Sequence, residues 1–134
     1  PVGSVLLGSH EFIKKARRVR KAFGGGMRQA GMLAAAAAYA LDNNVDRLAI
    51  DHDNAQKVLE AGLKNQWVLG SLPVETNIIV LLLKKGITNT EFLEKLNEKG
   101  VLAVGFGSQR VRLTMHLNIS GADVNAICET LLSF

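Results

Sequence analysis

A single cysteine, Cys128, is all this chain has, which excludes an internal disulfide and any zinc cluster built on several thiolates. A reducing, cytoplasmic setting is the matching expectation. Aromatic residues are also scarce, at 5%. No apolar run approaches the roughly 18–20 residues of a membrane span. The run Ile78 to Leu83 has the length of a strand. His10, His52 and His116 are too scattered for a metal motif, so no metal is expected. The P-loop and dinucleotide patterns are both missing, which disfavours ATP and NAD.

What is present is globular in character. The chain has 134 residues, enough for one compact domain with a core, with 48% hydrophobic and 21% charged residues. The net charge of +4 is local. Lys14, Lys15, Arg17, Arg18, Arg20 and Lys21 fall within eight residues, and the rest of the chain has more acidic than basic groups. The chain opens on Pro1-Val2-Gly3-Ser4 and runs straight into Val5-Leu6-Leu7, which reads as a piece of a longer protein.

Val2 to Leu7 reads as a short strand ended by Gly8-Ser9. From His10 to Phe23 the period turns helical, with Phe12, Ala16, Val19 and Phe23 on one face and Lys14, Arg17, Arg18 and Lys21 opposite. Three glycines, Gly24 to Gly26, break that helix. The alanine-rich stretch Met27 to Leu41 predicts a helix buried on most of its circumference. Another helix is expected over Val45 to Leu63, with Arg47 and Asp51 paired one turn apart.

The second half changes rhythm. Asn77 to Leu83 predicts an apolar strand covered on both faces. Thr88 and Glu91 form a capping box for a helix that Gly100 ends, and Ile87 and Phe92 are placed as its staple. Val101 to Val104 and Arg110 to His116 read as strands, the second alternating Val111, Leu113 and Met115 with Arg110, Arg112, Thr114 and His116. Ser120 and Asp123 cap a last helix, with Ile119 and Val124 as staple. The expected class is α/β, a small unit with helices laid on a sheet.

Three features suggest chemistry. Gly24-Gly25-Gly26 before Met27-Arg28-Gln29 lets backbone amides come close to an anion near a helix start, where Arg28 could grip two phosphate oxygens. Taken alone, a glycine run before a helix is more often just a flexible turn. Arg112 lies inside an alternating strand, where a part-buried guanidinium calls for a carboxylate, either a ligand's or an internal one. His116, four residues on, could share that site. The basic face from Lys14 to Lys21 is either a solvated or subunit-contact surface or a nucleic-acid surface. No aromatic interleaves on it, which favours the first. Cys128 and Trp67 read as packing residues.

The same residues carry a family likeness. Pro1 to Leu6 resembles the segment that follows the cofactor lysine in threonine aldolases, pyridoxal-phosphate (PLP) enzymes of fold type I. Arg18 to Lys21, then Gly24 to Gly31, is similar to that family's arginine–aromatic–arginine–lysine and glycine-rich signature, with Val19 where an aromatic is common. Arg47-Leu48 to Asp51-His52-Asp53-Asn54-Ala55, Thr76-Asn77, and Val111 to Leu117 resemble its later motifs, with Asn118 replacing a frequent aspartate.

The resemblance implies the end of a fold-type-I large domain, a strand plus helices, over residues 1–45. A C-terminal small α/β domain, a short sheet covered by helices, would follow over residues 46–134. It implies a PLP-dependent lyase that cleaves threonine or allo-threonine to glycine and acetaldehyde. A dimer or tetramer with sites shared between subunits is implied, with neither nucleic acid nor membrane as partner. Carried over by position, Arg112 would hold the substrate carboxylate and Lys21 would lie near the active-site entrance. Arg28 would approach the cofactor phosphate from a neighbouring subunit, with Gly25 and Gly26 beside it. No catalytic residue falls in this chain: the PLP lysine, the aspartate for the pyridine nitrogen and the ring-stacking histidine are expected upstream of Pro1, which would leave the piece inactive alone. The alternatives are another fold-type-I PLP lyase or aminotransferase relative, and a non-catalytic binding or assembly module using the basic helix.

Overall fold

Helix α1 covers His10–Ala22 in the computed structural model, which describes residues 4–134. Ser9 caps it, its Oγ accepting the Phe12 N–H at 3.3 Å, and Glu11 pairs with Lys15 one turn on. The helix stops in a Schellman motif. Gly24 takes φ +82°, its N–H donates to the Lys21 carbonyl, and the Gly25 N–H donates to the Arg20 carbonyl. Arg20 and Lys21, in the last turn, sit at the negative end of the helix dipole, so part of the basic cluster has a local structural reason. Helix α2 follows over Gly31–Asn43. Both belong to the unit Pro1–Asp46, one of two into which the backbone divides; the other is Arg47–Phe134.

The first unit departs from the sequence expectations in three places. Residues 4–7 are irregular rather than strand, while Val2 and Gly3 lie outside the described residues. A strand needs a neighbour for its N–H and C=O groups, and among the described residues of this unit there is none. Helix α2 begins at Gly31, not Met27, because Gln29 adopts a left-handed φ of +55°. The burial expected of the alanine-rich helix is also missing. No residue from 4 to 46 is buried, and Phe23 and Met32 are 88% and 85% exposed. Phe12 and Val19 are open as well, so the apolar face of α1 meets no core. Two short helices offer too little surface to build one.

The second unit begins with α3, Leu48–Lys64. Arg47 grips Asp51 through two hydrogen bonds of 3.0 and 2.8 Å, so the expected pair forms, with the carboxylate only 5% exposed. Strands β1 (Val68–Ser71), β2 (Ile78–Leu83), β3 (Val104–Gly105) and β4 (Arg110–Thr114) make one antiparallel sheet in the order β1-β2-β4-β3. β1 is not legible beforehand, because Leu69 bulges out of the ladder and Gly70 gives no side-chain pattern. Helices α4 (Asn89–Asn97) and α5 (Gly121–Leu132) start on the expected capping boxes of Thr88 with Glu91 and Ser120 with Asp123.

The alternation of β4 does what its pattern requires. Val111, Leu113 and Met115 join Ile79, Leu81 and Leu83 of β2 in a core closed by Val58 of α3, Phe92 and Leu96 of α4, and Ile127 and Leu131 of α5. Trp67, Phe92 and Phe134 meet at tilted and edge-on angles there. The other sheet face carries Ile78, Val80 and Leu82 beside Arg110, Arg112 and Thr114. The cover expected on both faces of β2 is partial on this one within the unit: Val80 is buried, while Ile78 is 42% exposed.

Helix α4 ends at Gly100, φ +77°, whose N–H donates to the Asn97 carbonyl while the Val101 N–H donates to that of Leu96. This also shortens the strand expected over Val101–Val104. Val101 has given its N–H to the helix, and only Val104–Gly105 joins the ladder. Gly100→Ala is expected to cost about 1 kcal/mol, because alanine is strained at that φ. Urea denaturation of the chain measures it as a lower midpoint at unchanged slope.

Candidate functional site

Arg112 sits in the middle of β4, paired with Val80 of β2 on one side and Val104 of β3 on the other. Directly opposite residues in antiparallel strands share a face, so the three form one row on the sheet face opposite the core. The guanidinium is half-buried. Its Nε is shut off from water and has no hydrogen-bond partner, and among the described residues no carboxylate pairs with it. An unpaired buried N–H is costly, and a carboxylate taken side-on through Nε and one terminal nitrogen relieves it.

The glycine turn is built differently from the anion cradle its sequence suggests. The Gly24 and Gly25 amides terminate α1, and the Gly26 N–H donates to the Gly24 carbonyl at 2.9 Å. These three donors are therefore already engaged. Lys21 folds back over Gly26: a methyl group added to Gly26 would lie 2.8 Å from its Nζ. Lys21, Gly25 and Gly26 thus come together at the end of α1. Arg28, two residues on, is exposed and, among the described residues, pairs with no carboxylate. Arg112 belongs to the other unit.

His116 does not share the Arg112 face. β4 ends at Thr114, so the alternation stops before His116, whose Nδ1 accepts the Asn118 N–H at 3.3 Å. His116 instead lines a cleft of about 470 Å³ with Lys99, Leu113, Met115, Ile119 and Asp123, while Arg112 does not. The Thr88 N–H and then its hydroxyl hold Glu91 below the usual carboxylate range. For Asp123 the Ser120 hydroxyl leads and its N–H follows. Burial pushes the Cys128 thiol up, and Cys128 packs against the core as a hydrophobe. Among the described residues no three His, Cys, Asp or Glu side chains gather as a metal site would need, and no helix is long and apolar enough to cross a membrane.

Two amide side chains at the ends of β4 were not singled out for chemistry by the sequence reading. Asn77 is tied twice to Met115: its main-chain carbonyl accepts the Met115 N–H at 2.8 Å, and its side-chain Nδ2 donates to the Met115 carbonyl at 2.6 Å. Gln109, at φ +52°, accepts the Leu83 N–H on its main-chain carbonyl at 2.8 Å, and its side-chain Nε2 donates to the Lys84 and Ile87 carbonyls at 3.0 and 3.3 Å. The available signal was an amide residue just outside each end of the β2–β4 pair, a weak one without the register.

Comparison with known proteins adds family information. Residues 1–85 match the model of a family described as beta-eliminating lyase. Over 129 residues, 93% of its length, the chain is 42% identical to low-specificity L-threonine aldolase 1 of Arabidopsis thaliana and covers 36% of that protein. Over 125 residues, 90% of its length, it is 44% identical to the low specificity L-threonine aldolase of Escherichia coli K12 and covers 34% of it. The chain thus spans about a third of the length of the curated relatives it matches. Among solved structures, a cystine C–S lyase in complex with its reaction product cysteine persulfide is similar in fold. Its TM-score is 0.54 at 16% identity, over 78% of this chain and 29% of that one.

Proposed function

This chain belongs to the beta-eliminating lyase family, and on that premise we propose that it is the C-terminal part of a PLP-dependent aldolase of fold type I acting on threonine or allo-threonine. The likeness to L-threonine aldolases over nearly the whole chain carries the reading, and the unpartnered Arg112 on the sheet face opposite the core agrees with it. In this proposal Arg112 binds and orients the substrate α-carboxylate through two parallel hydrogen bonds. Lys21, held over Gly26, contributes positive charge near the entrance. Arg28 supplies a guanidinium for the cofactor phosphate, in a site drawn from more than one subunit of a dimer or tetramer. Gly25 and Gly26, whose amides are engaged, contribute a surface without side chains rather than donors.

The residues present fit PLP in charge, an available arginine for a phosphate and another for the amino acid. When bound, PLP supplies the electron sink that lets the Cα–Cβ bond break. The reaction balances as loss of the β-hydroxyl proton, cleavage of Cα–Cβ, departure of acetaldehyde, and protonation of Cα to leave glycine. No residue of this chain is assigned the covalent or proton-transfer steps; the proposal leaves those to the lysine and its neighbours upstream, in a cytoplasmic enzyme.

Product analysis tests the reading. The holoenzyme containing this chain, given L-allo-threonine and PLP, is expected to form glycine and acetaldehyde in equal amounts. Formation of 2-oxobutanoate and ammonia instead would make it an eliminating lyase and overturn the aldolase assignment.

A further inference from the structure

We infer that Asn77 and Gln109 are positioning residues that lock the register of β4 against β2 and thereby set where Arg112 meets a substrate carboxylate, an inference that rests on the aldolase reading. The need for a lock follows from the two strands. β2 is apolar at every position from Ile78 to Leu83, so it offers β4 no face or step preferred over another. The alternation of β4 forbids a one-residue slip, which would turn Arg112 into the core and Val111, Leu113 and Met115 out of it. It does nothing against a slip of two residues. That slip keeps every side chain on its face yet carries Arg112 about 7 Å along the sheet, farther than a bidentate carboxylate contact tolerates.

After a two-residue slip the main-chain ladder bonds re-form with new partners, but the side-chain bonds at the strand ends are lost. At one end the Asn77 side chain donates its Nδ2 to the Met115 carbonyl, beside the main-chain bond from the Met115 N–H to the Asn77 carbonyl. At the other, the Gln109 side chain donates its Nε2 to the Lys84 and Ile87 carbonyls, beside the main-chain bond from the Leu83 N–H to the Gln109 carbonyl. Gln109 does this from a left-handed backbone conformation that residues with a side chain seldom adopt, and its amide bonds offset that strain. Arg112 lies between the two anchors, three residues from each.

The test is a pair of variants in the holoenzyme containing this chain, read as KM against kcat for L-allo-threonine. Asn77→Ala and Gln109→Met are each expected to raise KM about tenfold with kcat within about twofold. In an Arg112→Ala background the same changes are expected to add nothing, since they act through that arginine. An unchanged KM, or the same rise in both backgrounds, overturns the inference. Hydrogen exchange of the same holoenzyme variants gives a second readout. Faster exchange confined to the Leu83 and Met115 amides, with Ile79 and Leu81 still protected, supports a register lock; loss of protection throughout the sheet refutes it. If Arg112→Ala alone leaves KM unchanged, the carboxylate role of Arg112 fails, and the lock itself is then decided by the exchange pattern.

Discussion

Arg112→Ala in the holoenzyme is expected to lower kcat/KM for threonine by about a hundredfold to a thousandfold, carried mainly by KM. Each charge-assisted hydrogen bond to a carboxylate contributes roughly 1.5–3 kcal/mol, and a side-on guanidinium makes two. The α-carboxylate keeps its charge as Cα–Cβ breaks, so its binding is nearly the same in ground and transition states, and losing it weakens both. Arg112→Lys should recover only part of the loss, because an ammonium is a point charge without the planar fork. A substrate analogue lacking the carboxylate, the corresponding amino alcohol, should bind the wild type and Arg112→Ala alike. If the variant weakens acid and alcohol equally, Arg112 shapes the sheet and does not hold the carboxylate.

The second large effect concerns stability. Arg47→Ala is expected to destabilise the Arg47–Phe134 unit by about 3 kcal/mol, because it strands the Asp51 carboxylate, almost wholly buried, without its partner. The penalty comes from the charge left behind more than from the pair lost. Replacing both residues by apolar ones of similar size, Arg47→Met with Asp51→Leu, should therefore return most of the stability. Trp67, the only tryptophan, reports on this unit from its aromatic cluster. Urea titrations followed by its fluorescence would show the difference. A shift under about 1 kcal/mol for Arg47→Ala would mean that water reaches Asp51 and that the pair is an ordinary surface one.

What could be read beforehand was local. The two capping boxes, the stop at Gly100, the Arg47–Asp51 pair and the inward run Val111, Leu113, Met115 depend on residues within a few positions of one another, and each forms. Arg112 could be marked for the same reason: alternation places it on a face where a guanidinium lacks an evident partner. Features set by distant partners were not visible. His116 lines a cleft that Arg112 does not, just past the end of β4 at Thr114. β1 hides behind a bulge. The glycine run shows how one string serves two geometries, since the consecutive glycines that could cradle a phosphate are the same ones that close a Schellman motif. In α1 and α2 the apolar pattern states which side chains seek cover, not which surface provides it.

That last point has a thermodynamic consequence. Helices of 13 residues each are near the length at which isolated helices are marginal in water. With Phe23, Met32, Tyr39 and Leu41 exposed, the order of residues 10–43 is coupled to whatever surface covers them. Any association that buries those faces therefore carries the calorimetric signature of folding, a strongly negative heat-capacity change with a favourable enthalpy opposed by ordering entropy. Were a second copy to provide that surface, as in the proposed dimer or tetramer, helix content in this segment would rise with protein concentration.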